Sequence, residues 1–519
     1  MKTKYVLLFC LLLSVNTFAQ FQNILISNVA TPNEPSIFIN PKNTNEIVAA
    51  ANLKSVYVSQ DAGYTWARTS MNSNFGVWGD PCIVADTSGK FYFFHLSNTG
   101  GTNGWIDRMV CQRLDNIGGA WTAGVGFGLN GTKDQDKEWI AVNHLNNELY
   151  VTWTQFDAYG STFTSDSSVI LFSKSNDEGN TWSAPLKINQ LSGDCVDEDN
   201  TTEGAVPAVG PNGEIYVAWA NHQKIYFDKS LDGGTTWLQN DVEVATQPGG
   251  WDFAVSGTQR ANGMPIKVCD HSGGVNNGTI YINWSDQRNG ANNTDIFVSK
   301  SIDGGITWSS AVKVNTDTTQ RQQFFTWMSI DQTTGYLYFV FYDRRNYTAN
   351  SDSTDVFLAV SKDGANTFQN IKISSSAFVP SAQSFFGDYI NISSHGGMVR
   401  PIWTRMDNGN TSVYTAIIDS VILDLKLKNE PVFEMEDCNS VYYDSAPFIA
   451  YKLRKNATIS IILYNMLGNI VGIIKNNEPT PYGKYVERID KTKYSLTNGV
   501  YFCLIKTNDK VQVKKIVIE

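Results

Sequence analysis

Apolar positions along the middle of the chain fall in short runs separated by Gly, Asn, Asp and Ser. This is the period of strands rather than of helices. The runs recur in a fixed order. A short apolar run comes first, such as Trp139–Val142 or Trp327–Ile330. A run ending in aromatics follows, such as Ile215–Trp219 or Leu337–Phe341. A third run, seen at Ser55–Val58, Ile170–Ser173, Ile225–Phe227, Ile296–Val298 and Val356–Ala359, leads into a polar octapeptide. That octapeptide reads Ser-x-Asp-x-Gly-x-Thr-Trp and starts at Ser59, Ser175, Ser230, Ser301 and Ser361; Ala365 and Phe368 replace Gly and Trp in the last copy. The first gap is about twice the others, and a degraded copy running from Arg113 to Trp121 fills it. A fourth strand follows each box.

The box has a turn's chemistry. Asp accepts hydrogen bonds from backbone N–H groups a few residues on, and Gly supplies the left-handed position. Four antiparallel strands per repeat make one blade of a β-propeller. First strands occur near Ser36, Cys82, Trp139, Ala205, Pro265, Trp327 and Tyr389. The expected fold is therefore all-β, a seven-bladed propeller, with six blades as the alternative. The seventh repeat lacks a box and a fourth strand, and Asn23–Ser27 is expected to supply it, leaving no open edge.

The octapeptide resembles the Asp-box, or bacterial neuraminidase repeat, of sialidase-like propellers. The resemblance implies that Asp61, Asp177, Asp232, Asp303 and Asp363 are structural, on turns away from the substrate face. It also implies a glycan substrate. Sialidases, however, have six blades and a Phe-Arg-Ile-Pro element near the start of the first; Glu34-Pro35-Ser36-Ile37 stands there here.

Both ends carry other signals. Lys2 and Lys4, an apolar stretch from Tyr5 to Val15 and Thr17-Phe18-Ala19 read as a signal peptide over 1–19. The propeller is expected over 20–419 and a linker over 420–442. Alternating strands and Gly turns over 443–519 suggest a small β-sandwich. Asn498-Gly-Val-Tyr-Phe502 and the closing Lys514-Lys-Ile-Val-Ile518 resemble the type A sorting domain of the type IX secretion system. That resemblance implies handling by the type IX machinery and a secreted or cell-surface location in a Gram-negative bacterium. No other apolar run is long enough to span a membrane. Six widely spaced Cys outside the leader show no zinc spacing. Cys82 and Cys111 either pair, if their strands are neighbours, or stay buried thiols.

The net charge of −10 speaks against a nucleic-acid partner. Charged residues are 17% of the chain, so their concentration in particular loops is informative. In a propeller, the segments before first strands and after second strands share one face. Before first strands stand Glu34, Asp80, Asp136-Lys137-Glu138, Glu203, Arg260, Arg321 with Gln323, and Asp388-Tyr389. After second strands stand His95, Gln155 with Asp157, His222, Asp286 with Arg288, Asp343-Arg344-Arg345 and Arg405. The leading expectation is a hydrolase of extracellular glycans or glycoproteins. Glu138, Glu203 and Asp388 are its candidate acids and bases, and Tyr389 its candidate nucleophile. Asp80, Arg260, Arg288, Arg344, Arg345 and Arg405 are its candidate substrate ligands, since a guanidinium fork suits an anion. The alternative is a glycan- or protein-binding propeller without turnover. No organic cofactor is expected. Asp194, Asp197, Glu198 and Asp199 crowd one loop with hard oxygen ligands, so calcium is the one metal suggested.

Overall fold

The computed structural model describes residues 21–100, 104–420, 423, 433–435, 447–453, 456–466, 468–507 and 511–518. The expected signal peptide lies outside them, as do most of the expected linker, Cys10 and Cys438. The chain divides into two compact units, residues 1–420 and 421–519.

The first unit is a propeller built from seven antiparallel sheets, six of four strands and a seventh to which Ile418–Asp419 adds a fifth. Their inner strands are Ser36–Ile39, Gly79–Ala85, Asp134–Val142, Glu203–Val209, Ile266–Cys269, Gln323–Asp331 and Asn391–His395. Each inner strand packs beside the next, and the seventh returns to the first, closing a ring. Sheets one to six run outward in chain order. Sheet seven is completed by Asn23–Ser27, which pairs with the strand Asn410–Ala416, Asn23 opposite Ala416 and Ile24 opposite Thr415. The core lies between sheets. Trp153, Trp219, Trp284 and Trp403 are fully buried, one from each of four second strands. Strands facing sheets on both sides bury almost every side chain, which is why they read as continuous apolar runs.

The five boxes fold alike. The box Ser hydroxyl donates to Asp Oδ1 at 2.7–2.9 Å and accepts the Gly or Ala365 N–H at 2.8–2.9 Å. The Thr N–H reaches the same Asp oxygen at 2.8–3.0 Å, and the Thr hydroxyl donates to the other at 2.5–2.7 Å. At Asp232 these bonds, the Thr236 hydroxyl's first among them, hold the carboxyl down to about 2. In the degraded copy, Asp115 instead accepts from Arg113 Nε at 2.7 Å.

Each full box is also gripped from the preceding sheet. The carbonyl between Asp and Gly receives one cation: Arg400 Nε to Ala62 O at 2.8 Å, Arg113 Nη1 to Glu178 O at 3.1 Å, Lys174 Nζ to Gly233 O at 2.7 Å, Lys229 Nζ to Gly304 O at 2.7 Å and Lys300 Nζ to Gly364 O at 2.6 Å. The box thus orders its own turn and docks its sheet to the neighbour.

Cys82 and Cys111 are buried thiols on strands that are not neighbours: Phe94, on the strand between, is the register partner of both. The second unit has a three-stranded sheet (Phe433–Met435, Phe448–Leu453, Gly483–Arg488) and a four-stranded one (Ile470–Thr480, Ala457–Asn465, Gly499–Thr507, Val511–Ile518). Ile449, Tyr451, Leu453, Ile459, Ile461, Leu463, Cys503 and Ile505 form its core.

Candidate functional site

The inner strands enter the ring through a shared distortion. Register slips between Gly79 and Cys82, Asp136 and Trp139, Glu203 and Val206, and Phe324 and Trp327. At each slip one residue is left-handed: Asp80 (φ 50°), Lys137 (54°), Gly204 (73°) and Phe325 (48°). Glu34 (49°) and Gly387 (100°) occupy the equivalent place before the first and seventh inner strands. A bulge of this kind re-aims side chains, and a non-glycine residue held there costs about 1 kcal/mol or more. Three such residues are charged, and they converge.

Lys137 is their hub. Its ammonium lies 3.0 Å from Asp388 Oδ2 and 3.3 Å from Asp80 Oδ2. Arg260 forks onto Asp388, Nε to Oδ1 at 2.7 Å and Nη2 to Oδ2, and places Nη1 3.4 Å from Asp197 Oδ2. Glu34 accepts from the Asn52 amide and from the Asp388 N–H at 3.0 Å. Asp197 also takes the Tyr159 hydroxyl at 2.8 Å and the Trp251 indole at 3.2 Å.

This network splits the carboxyls into two kinds. Burial alone would raise Asp388, but Lys137 and Arg260 overcome it and hold the group at about 2. Burial also opposes charge on Lys137, yet Asp80, Asp388, Asp136 and Glu34 outweigh it and raise its pKa. Burial and neighbouring carboxylates push Glu34, Asp136, Glu138 and Glu203 well above the usual carboxylate range. Burial and the same acids raise the Tyr389 phenol.

Above the network opens a pocket of about 350 Å³. Glu34, Asp80, Asp136, Lys137 and Arg260 line its charged part, and Trp78, Trp105, Tyr159 and Phe385 its aromatic part. Trp78 and Trp105 meet edge to face at 5.7 Å, and Trp105 and Tyr159 at 5.8 Å. Trp78 is 38% exposed and Trp105 39%, so both present rings to solvent.

Of the candidate residues, Asp80 and Arg260 line the pocket. Asp388, Glu138, Glu203 and Tyr389 belong to the same cluster but are buried and do not line it. Neither Glu138 oxygen, nor Glu203 Oε1, nor the Tyr389 hydroxyl has a hydrogen-bond partner among the described residues. The other arginines do not reach the pocket, because each is tied within or beside its own sheet. Arg288 pairs with Asp286 and lies over Phe297. Arg344 is fully buried on Asp352, Thr354 and the Ser256 carbonyl. Arg345 holds Asp343 and Asn370, and Arg405 holds Asp407 and the Ala377 carbonyl. The acidic loop does not converge either. Asp194 serves Thr201 and Val196, Asp197 serves Tyr159, Trp251 and Arg260, and Asp199 serves Gln223 and Asp252. Among the described residues no group of three or more His, Cys, Asp or Glu could hold a metal ion. The aromatic wall is what sequence reasoning missed. Trp78 and Phe385 stand before inner strands and Tyr159 after a second strand, so the topological rule applied to charges would have found them.

Comparison with known proteins bears on each unit separately. Residues 446–519 match the family described as the secretion system C-terminal sorting domain. The match marks the chain for type IX secretion to the cell surface or beyond it. No helix of the described residues is long and apolar enough to cross a membrane. No curated protein matches the chain by sequence. Solved structures with a similar fold include the Hadza microbial sialidase Hz136, 13% identical, TM-score 0.41, covering 73% of this chain and 75% of that one. The NanB sialidase from Streptococcus pneumoniae is 9% identical, TM-score 0.44, with 78% and 98% covered. A polysaccharide lyase, an ulvan lyase, is 11% identical, TM-score 0.44, with 77% and 95% covered.

Proposed function

We propose that the propeller is a glycan-active enzyme whose pocket binds a sugar and cleaves a glycosidic bond beside it. One observation carries the reading: a single pocket holds a carboxyl biased toward its protonated form and an ion-paired carboxylate, below exposed indole rings. Glycoside hydrolysis needs one such acid to protonate the leaving oxygen. Asp136, biased toward its protonated form, takes the acid role. Asp80, paired to Lys137 and hydrogen-bonded to Asp136, holds and tunes the proton on that acid. Asp388 positions Lys137 and Arg260, and through Lys137 positions Asp80. Glu138, Glu203 and Tyr389 form the buried layer behind the pocket. Trp78 and Trp105 stack on the apolar face of a pyranose ring, an amphipathic surface suited to it.

Turnover of a panel of neutral, amino and sialylated glycosides by the purified chain tests this. Asp136→Asn and Asp80→Asn should each lower kcat by at least about 100-fold. The alkaline limb of kcat/KM should lie above the ordinary carboxylate range, because Asp136 is the acid. Turnover unaffected by both substitutions places the chemistry elsewhere. Binding without turnover makes the propeller a glycan-binding module.

A further inference from the structure

We propose that the group seated on the pocket floor is the free ammonium of an amino sugar, not the carboxylate of a sialic acid. The proposal rests on the glycan reading above. The floor has two cations, and both are already spent: Lys137 on Asp388 and Asp80, Arg260 on Asp388 and Asp197. Two pocket-lining carboxyls are left over. Asp136 accepts the Lys137 N–H at 2.9 Å, Glu34 accepts from Asn52 and the Asp388 N–H, and neither has an ion-pair partner among the described residues. A ligand carboxylate placed here meets Glu34, Asp80, Asp136 and the acids behind them, with no free guanidinium to clamp it. An ammonium meets the reverse: two carboxyls with no ion pair of their own below, and ring faces beside it. Trp78 and Trp105 are inclined at 86° and Trp105 and Tyr159 at 80°, a corner of near-perpendicular aromatic faces, each with the negative quadrupole that attracts a cation.

The geometry has a proton consequence. Asp136 is faced by Asp80, Lys137, Glu138, Tyr159, Asp197 and Glu203; Glu34 by Asp80, Lys137, Asp388, Arg260 and Tyr389. Burial first, and then the neighbouring carboxylates, make both carboxyls hold protons above the usual range. An ammonium brought against Glu34 favours its ionised form, and the displaced proton passes to the buffer while Asp136 keeps its own for the leaving oxygen. Affinity therefore rises with pH until the ligand's own amine loses its proton.

Calorimetric titration of the full chain with glucosamine oligomers, their N-acetylated counterparts and a sialylated trisaccharide tests this. It is run at pH 5.5 and 7, in two buffers of different ionisation enthalpy. The glucosamine oligomer should bind about tenfold or more tightly than the N-acetylated one, gain affinity at the higher pH and release protons. Glu34→Gln should abolish most of the proton release and the preference. Trp105→Ala should weaken all the sugars together, and unchanged melting curves should show both variants folded. Equal affinity for amino and N-acetylated sugars, or tightest binding of the sialylated one, overturns the ammonium assignment and leaves the glycan reading standing. Binding of a lysine-rich peptide with no sugar bound overturns the glycan reading itself. Binding of none of these overturns both.

Discussion

Gly234 carries two constraints at once. Its φ is 84°, and a β-carbon there would overlap the ring of Phe172 on the preceding sheet. Gly305 stands in the same relation to Phe227. The fifth box has Ala365 at this position, left-handed at φ 61°, and the residue equivalent to Phe172 and Phe227 on the sheet before it is Val298. The smaller side chain goes with the larger turn residue. Gly234→Ala should therefore lower the unfolding free energy by about 2–4 kcal/mol, through both backbone strain and overlap. Adding Phe172→Val should recover part of that in denaturant titration. If the second substitution only adds to the loss, the ring is not the obstacle. The Gly was legible from turn chemistry in the sequence, but its neighbour was not, because the contact joins different repeats.

The strands and boxes were readable because their period is local: alternation sets the strands and the Asp–Thr bonds close within one octapeptide. The seams were not. Lys174, Lys229 and Lys300 each stand immediately before a box Ser, a regularity present in the sequence, yet each grips the next sheet's box rather than its own. Lys229→Met keeps the length and removes the donor, leaving the Gly304 carbonyl short of a partner. It should cost about 1–2 kcal/mol without altering pocket affinity. The same change at Lys174 should add to it within about 0.5 kcal/mol, since the two latches share no partner. Strong coupling between them would mean that the seams fail as one. The inner-strand bulges were hidden for a related reason: a slip in register appears only once the partner strand is in place.

Across the ring, a cluster of charged groups is buried where the inner strands begin. The sequence placed Glu138, Glu203, Asp388 and Tyr389 at the starts of inner strands, since topology alone fixes that. It could not tell pocket wall from support, because depth below the surface depends on how seven sheets meet. It also counted Arg288, Arg344, Arg345 and Arg405 as available, although their partners Asp286, Asp352, Asp343 and Asp407 were close by in sequence. Glu138 gives a pH test of the buried acids. Its carboxyl, raised by burial and Asp80, keeps its proton in the folded state at pH values where the unfolded chain has lost it. Its contribution to stability therefore falls as pH rises above the ordinary Glu range of about 4.3. Glu138→Gln, which cannot ionise, should gain little at pH 4 and roughly 1–3 kcal/mol at pH 8 relative to the native chain. Thermal melts of both proteins across that range measure the difference. A gain that does not change with pH would show that the carboxyl is already ionised when folded.

Sheet seven has one strand from near the start of the chain and four from the far end of the ring. For a chain delivered N-terminus first, this sets an order of arrival: Asn23–Ser27 emerges early and its partner, Asn410–Ala416, among the last. Until then the ring is an arc with two open edges, and the early strand has no neighbour to pair with. Phe21, buried at 4% exposure, and Gln22, whose carbonyl takes the Ile417 N–H at 2.9 Å, extend the same closure upstream of Asn23. Trimming past that point would remove a wall of the barrel's last seam rather than a loose end.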